Sequence, residues 1–160
     1  MQLVVFSDSH GDFDAISRVV YTHTKAGMFL HCGDGAKEAS DLQALHPQKK
    51  ILFVRGNCDW DPLAKDENLI IVSGKRIFFT HGHVYGVKRG LDKLIGRANS
   101  LGADIACFGH THIPMHAKVG RLHLINPGSI GNPHAGAQPT YTTIDISSEG
   151  VMVKIVELQS

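Results

Sequence analysis

The sequence predicts an α/β fold with a largely parallel sheet in its first half and added antiparallel strands in its second half. Between residues 2 and 55, short apolar runs alternate with segments of helical periodicity, and this order is typical of βαβ units. Residues 68–81 form two apolar runs around a Gly-Lys pair, which indicates a hairpin. The last third of the chain consists mostly of short runs of β-forming residues.

The predicted elements follow from these patterns. Buried strands are predicted over 2–7, 28–31, 50–55 and 104–109. Helices are predicted over 13–26, 36–45 and 87–101. Two further hairpins are predicted over 116–126 and 141–158.

Length and composition limit the class of protein. The chain has 160 residues, 42% of them hydrophobic, which suits a single domain over 1–160 that buries its own core. The net charge of +1 does not indicate a basic surface that would bind nucleic acid or an anionic membrane. Three cysteines without a CxxC pair favour a reducing compartment, and Met1 is not followed by a signal peptide or an apolar span. We therefore expect a cytoplasmic protein.

Histidine is unusually frequent, with eleven residues against seven phenylalanines. Most of the informative histidines follow apolar runs, within five polar strand ends. These are Asp8-Ser9-His10, Gly33-Asp34, Gly56-Asn57-Cys58-Asp59, His81-Gly82-His83 and Gly109-His110-Thr111-His112. Ligand sites in α/β sheets lie outside the carboxyl ends of the strands, so we expect these five ends to meet in one crevice.

The residue types at the five ends suit transition-metal ions. Carboxylate, amide and imidazole donors without thiolate favour Mn, Fe, Zn, Co or Ni over Ca or Mg. Alone, most of these motifs are ordinary caps or turns, but their recurrence at five equivalent positions indicates a shared site. Seven ligands exceed the needs of one tetrahedral ion and suit two. The candidate ligands are Asp8, His10, Asp34, Asn57, His81, His110 and His112.

The five motifs, in this order, resemble the calcineurin-like metallophosphoesterase superfamily, whose pattern is D-x-H, GD, GN-[HC]-[DE], H and GHxH. The later "NPGS" (126–129) resembles the small single-domain bacterial and archaeal phosphodiesterases. The resemblance implies two packed mixed β-sheets, a β-sandwich flanked by α-helices. It also implies two ion sites that share Asp34 as a bridge. One would use Asp8, His10, Asp34 and His112, and the other Asp34, Asn57, His81 and His110.

The resemblance further implies hydrolysis of small or activated phosphodiesters, in which a hydroxide shared by two ions attacks phosphorus in line. Mn²⁺ is the first metal expected, with Fe, Ni, Co and Zn as alternatives. Asp34, Asn57 and Asp59 are the candidate catalytic residues, and we expect Asp59 to orient a ligating imidazole. Asn57, Cys58 and His83 are the candidate substrate contacts. Many relatives carry histidine in place of Cys58, so we expect weaker assistance to the leaving group here.

Three alternatives remain at this stage. A eukaryotic retromer subunit resembles the same fold and serves as a scaffold with a degraded metal site, whereas this chain keeps all seven ligand positions. A nuclease would need a basic stripe that the sequence lacks, and a phosphomonoesterase would need better leaving-group assistance. The expected partner is a small phosphoester. Neither a membrane nor a nucleic acid is expected, and the sequence leaves a homo-oligomer open.

Overall fold

A computed structural model describes residues 1–159 and shows two five-stranded mixed sheets flanked by helices. The strands are β1 (Gln2–Phe6), β2 (Met28–His31), β3 (Ile51–Phe53), β4 (Glu67–Val72), β5 (Lys75–Thr80), β6 (Ile105–Cys107), β7 (Met115–Val119), β8 (Leu122–Asn126), β9 (Thr140–Ser147) and β10 (Gly150–Glu157). The helices are α1 (Phe13–Thr22), α2 (Ala36–Leu45) and α3 (Asp92–Ser100), and His83–Tyr85 forms a 3₁₀ turn. The predicted β-sandwich class is confirmed.

Each sheet combines three adjacent parallel strands with two strands that pair in antiparallel fashion. The first has the order β10-β9-β1-β2-β3, in which β1, β2 and β3 are parallel. The second has the order β4-β5-β6-β8-β7, in which β5, β6 and β8 are parallel. The parallel strands therefore lie in two sheets rather than one, because the β4–β5 hairpin pairs with β6 and starts a new sheet.

The core is layered by the alternation of side chains along each strand. In β1, Leu3 and Val5 point towards the second sheet, whereas Val4 packs with Ile16 of α1. In β5, Phe79 lies between the sheets, whereas Phe78 on the outer face packs in one cluster with Leu94 of α3. The inter-sheet core and the two helix layers hold the strand ends in fixed positions.

Two helices are shorter than the sequence predicts. Helix α1 ends at Thr22 instead of residue 26, because the chain turns there and Gly27 N–H pairs with the Gln2 carbonyl (2.9 Å). Helix α3 begins at Asp92 instead of residue 87, because Gly90 has φ = 150°, which no α-helix accommodates. Within residues 1–159, no helix is both long and apolar enough to cross a bilayer.

Replacing Ile144 by alanine should test the inter-sheet core. Ile144 is fully buried between the sheets, so Ile144→Ala should lower the free energy of unfolding by about 2–5 kcal/mol. Ile155→Ala, on the neighbouring strand at 38% exposure, is the control and should cost far less. Urea denaturation measures both, and equal losses would contradict the layering.

Candidate metal centre

The loops after β1, β2, β3, β5 and β6 converge at one edge of the sandwich. Backbone hydrogen bonds join them: Asp8 N–H donates to Gly33 O (3.0 Å), and Gly109 N–H donates to His81 O (3.1 Å). The first bond joins the loops after β1 and β2 of the first sheet, and the second joins the loops after β5 and β6 of the second sheet. Across the two sheets, His110 N–H donates to Asp8 Oδ2 (3.1 Å). All seven predicted ligands are thereby gathered across both sheets, namely Asp8, His10, Asp34, Asn57, His81, His110 and His112.

A first group of donor atoms surrounds Asp8 Oδ1. His112 Nε2 lies 3.1 Å from this oxygen and His10 Nε2 lies 3.7 Å from it. The two imidazole nitrogens are 3.3 Å apart. Asp34 Oδ2 lies 3.7 Å from His10 Nε2 and completes the group.

A second group surrounds His81 Nε2. Asn57 Oδ1 is 3.1 Å from it, His110 Nδ1 is 3.2 Å away and Asp34 Oδ2 is 3.4 Å away. Asp34 Oδ2 therefore stands beside both groups. Its partner Oδ1 is held by the backbone N–H of Cys58 (2.8 Å), which fixes the orientation of the carboxylate.

Backbone carbonyls determine the tautomers of two of these histidines. His81 Nδ1 lies 2.8 Å from Cys32 O, and His112 Nδ1 lies 2.7 Å from Asn132 O. A carbonyl can only accept, so each Nδ1 carries a hydrogen and each neutral ring presents the lone pair of Nε2 to the site. This arrangement is common among metal-ligating histidines.

The two groups consist almost wholly of lone pairs that face one another. Asp8 Oδ1 is buried and has no hydrogen-bond partner among the residues described, while Oδ2 accepts from Ser7 Oγ (2.6 Å) and His110 N–H (3.1 Å). Such a cluster is stable only with positive charge between its members. The donor types and their separations fit divalent metal ions at both groups, and protons on the imidazoles can substitute for them.

The pKa values follow from this crowding. Burial raises the pKa of the Asp8 carboxyl, but His10 and His112, when their rings carry protons in place of metal, outweigh burial and hold that pKa well below its usual range. The same opposition at Asp34, with His81 as its main partner, lowers the pKa to about 2. The hydrogen bond to Asp8 raises the pKa of His10, and Asp34 raises the pKa of His81 against the effect of burial. The carboxylates are therefore ionised and demand a cation.

Backbone strain is concentrated at the same residues. Six non-glycine residues within 1–159 have positive φ, and five of them are predicted ligands: Asp8 (55°), His10 (45°), Asp34 (54°), His110 (67°) and His112 (58°). The left-handed region costs roughly 1–2 kcal/mol per residue. Strain of this kind clusters at functional sites, where the surrounding fold imposes it.

The glycines beside the ligands make room for the ligand side chains. A Cβ on Gly56 would lie 2.0 Å from Asp34 Oδ1, and one on Gly109 would lie 2.6 Å from Asp8 Oδ2. The space that these glycines leave is filled by the ligand carboxylates themselves.

Asp59 does not orient an imidazole, which corrects the expectation for this residue. Among the described residues, its hydrogen bonds go to four backbone amides. Oδ2 accepts from Asp34 and Gly56 (2.8 Å each), and Oδ1 accepts from Gly35 and Ala36 (3.0 Å each). Helix α2 has no side-chain cap at Gly35, so the Asp59 carboxylate stabilises the helix N-terminus and fixes Asp34.

Cys58 and His83, the remaining candidate substrate contacts, lie beside the donor groups. Cys58 is exposed, and its sulfur accepts from Asn57 Nδ2 (3.4 Å). His83 begins the 3₁₀ turn, with its ring centroid 5.3 Å from that of His81 and 6.1 Å from that of His110. Both side chains border the space around the donors.

The sequence missed a buried network behind His10. His31, the last residue of β2, is fully buried. Its Nδ1 accepts from Gly33 N–H (3.1 Å), so Nε2 carries the hydrogen and donates to Ser9 Oγ (2.9 Å). Ser9 Oγ donates in turn to Glu38 Oε1 (3.2 Å), which also accepts from Gly11 N–H (2.5 Å). This hydrogen-bond network fixes the loop that carries Asp8 and His10. The sequence does not predict the network, because a single histidine in an apolar run does not indicate its partners.

Known proteins are similar to this chain in sequence and in architecture. Residues 1–149 match the family model of the calcineurin-like phosphoesterase superfamily domain. The chain belongs to this superfamily. The probable metallophosphoesterase YsnB of Bacillus subtilis is 33% identical over 159 residues, covering 98% of this chain and 91% of YsnB. The phosphodiesterase YfcE of Escherichia coli K12 is 28% identical over 170 residues, covering 91% of this chain and 88% of YfcE.

Solved structures give the same grouping. A conserved protein of Streptococcus pneumoniae, described as a predicted phosphoesterase, superposes with a TM-score of 0.87 at 27% identity, covering 98% of this chain and 88% of that one. Vps29 of Entamoeba histolytica, solved with Zn²⁺, has a TM-score of 0.77 at 20% identity, covering 99% of this chain and 100% of that one, and shares the fold. The superfamily and the phosphoesterase class of this chain agree with the donor groups described above.

Replacing Asp59 by asparagine should weaken the centre without removing a ligand. In Asp59→Asn an amide N–H would face backbone N–H groups, so Asp34 would lose its fixed position. We expect Mn²⁺ affinity, measured by calorimetry, to fall about 10- to 100-fold, the usual effect of removing a residue that holds a metal ligand in position. Asp61→Asn is the control, since the Asp61 carboxylate accepts from Leu63 N–H alone among the described residues. Equal affinities in the two variants would contradict this role.

Proposed function

We propose that this protein is a dinuclear metal-dependent phosphodiesterase that hydrolyses small or activated phosphodiesters. The observation that carries the proposal is Asp34 Oδ2, which lies 3.7 Å from His10 Nε2 and 3.4 Å from His81 Nε2, between two groups of lone pairs. Membership in the superfamily and the likeness to YfcE support the reaction class. A protein-binding scaffold would have no need of the strained and buried donor cluster.

The ligand assignment is part of the proposal. Asp8, His10, Asp34 and His112 would hold one ion, and Asp34, Asn57, His81 and His110 would hold the other. Divalent ions bound there would neutralise the charge of the phosphoryl oxygens. They would also lower the pKa of a nearby water, so that hydroxide is available to attack phosphorus at neutral pH. We favour Mn²⁺, because imidazole and carboxylate donors together suit it better than Mg²⁺.

The residues of the chain would position the substrate. Asn57 is exposed at the rim, so its amide can contact a phosphate oxygen while Oδ1 remains near His81. His83 adds a ring on the same side as His110. Burial and His81 lower the pKa of His110 to about 4, so this ring stays neutral and keeps its lone pair.

Cys58 would be a poor proton donor to the departing alcohol. Partial desolvation by its neighbours and the Asp34 carboxylate raise the pKa of the Cys58 thiol, which keeps it neutral and weakly acidic. Hydrolysis places the water oxygen on phosphorus and releases the alcohol with the bonding electron pair. Without general-acid assistance, which is typically worth ~10²–10⁴ in rate, groups that leave as stable anions are preferred. This preference favours activated diesters over alkyl monoesters.

Metal removal should abolish the activity. Chelation of the purified protein should stop hydrolysis of bis-p-nitrophenyl phosphate, measured as release of nitrophenolate, and added Mn²⁺ should restore it. Added Mg²⁺ should restore it poorly. A rate that survives complete chelation would overturn the proposed function, and full restoration by Mg²⁺ would overturn the imidazole-rich assignment.

Replacing Asp34 by asparagine should be the most damaging single change. Asp34→Asn removes negative charge from both groups of donors, so we expect both ions to be lost together. The rate should fall more than about 100-fold, which exceeds the usual effect of replacing a residue that only orients a ligand. Asp14→Asn, at an exposed position of α1, is the matched control and should retain both. Metal content by elemental analysis and the diesterase rate are measured on the same samples. Loss of only one ion would show that Asp34 serves a single site.

A further inference from the structure

An apolar groove of about 600 Å³ lies against the metal centre. Its apolar lining comes from the segment before α3, the end of β6 and the start of β7. These side chains are Val87, Leu91, Phe108, Ile113 and Met115. Ile113 is 57% exposed, although it directly follows the ligand His112. The groove has the size of sites that bind small organic groups.

The wall nearest the metal centre is the ligand loop itself. Thr111 lines the groove and stands between the ligands His110 and His112. The Thr111 carbonyl accepts from His134 Nε2 (2.9 Å), and the His134 ring lies 5.8 Å from that of His112. A phosphorus centre bound at the ligands would therefore hold one of its ester groups at the mouth of this groove.

Charge favours this side of the centre for an anionic substrate. Lys88 lines the groove, and no carboxylate does so within the described part of the chain. Arg55, by contrast, is paired with Asp66 (2.8 Å). The cavity on the Cys58 side is bordered by Lys37, which pairs with Asp41 (2.6 Å), and by four acidic residues in all, so its net charge is negative and less favourable for a phosphodiester. The acidic residues are Glu38, Asp41, Asp59 and Asp61.

We propose that this groove binds the non-leaving ester group of the substrate and selects an apolar aromatic alcohol there. The inference rests on the proposed function and names its substrate class. The thioether of Met115 and the ring of His134 are partners that favour a flat ring over a flexible chain. Ile113 is then the residue that determines specificity, because it is the exposed apolar side chain next to the ligand loop.

The test compares diesters that share one leaving group. p-Nitrophenyl phenyl phosphate, p-nitrophenyl methyl phosphate and p-nitrophenyl hexyl phosphate all release nitrophenolate, so differences in kcat/KM report the other ester. We expect phenyl to exceed methyl by about tenfold or more, within the range for an apolar pocket. A hexyl ester that exceeds phenyl would overturn the aromatic assignment.

Variants locate the effect. Ile113→Asp should reduce the phenyl-to-methyl ratio of kcat/KM about tenfold, mainly through KM. Ile113→Ala should reduce this ratio less, and it keeps the test valid if the aspartate variant fails to fold. Ile71→Asp, at a 66% exposed position on β4, is the control and should leave the ratio unchanged. An unchanged ratio in both Ile113 variants would overturn the groove while leaving the diesterase intact. Absence of hydrolysis of every diester with every metal would instead defeat the proposed function.

Discussion

The requirement for positive charge between crowded lone pairs governs the architecture of this protein. His81 Nε2 and Asp8 Oδ1 each face other acceptors at 3.1–3.9 Å. The fold holds them there with fixed tautomers, buried carboxylates and backbone strain. This arrangement of lone pairs, carboxylates and strained backbone is unfavourable without a cation, so the surrounding sandwich must be rigid enough to maintain it. The inter-sheet core supplies this rigidity.

The supporting residues extend this logic to the backbone. Asp59 binds four amides at the turn that carries Asp34, and the His31–Ser9–Glu38 chain binds the turn that carries His10. Both supports are made of polar groups that satisfy otherwise unpaired donors. The precision of the donor groups therefore depends on residues that have no predicted contact with an ion.

The sequence was sufficient for the fold class and for the convergence of the seven candidate ligands, because polar residues after apolar runs must lie at strand ends. It was insufficient where tertiary contacts decide. Asp59 was expected to contact an imidazole, but it binds backbone amides of the turn that carries Asp34. The spacing of residues in the sequence does not reveal such a contact. Local pattern alone predicted a largely parallel sheet, and only the family resemblance indicated two packed sheets, since strand partners are set by packing and not by local pattern. His31 escaped for the same reason, because a buried polar network has no periodicity.

The division between sheets has a thermodynamic consequence. Asp8, Asp34 and Asn57 follow strands of the first sheet, whereas His81 and His110 follow strands of the second. An ion held by both sets, as proposed, would join the two sheets at their common edge. The unfolded chain cannot gather these residues, so ion binding would stabilise the native state by RT ln(1 + [L]/Kd), about 2.7 kcal/mol at a hundredfold excess over Kd. The charge that relieves the strained cluster therefore also strengthens the sandwich that creates it.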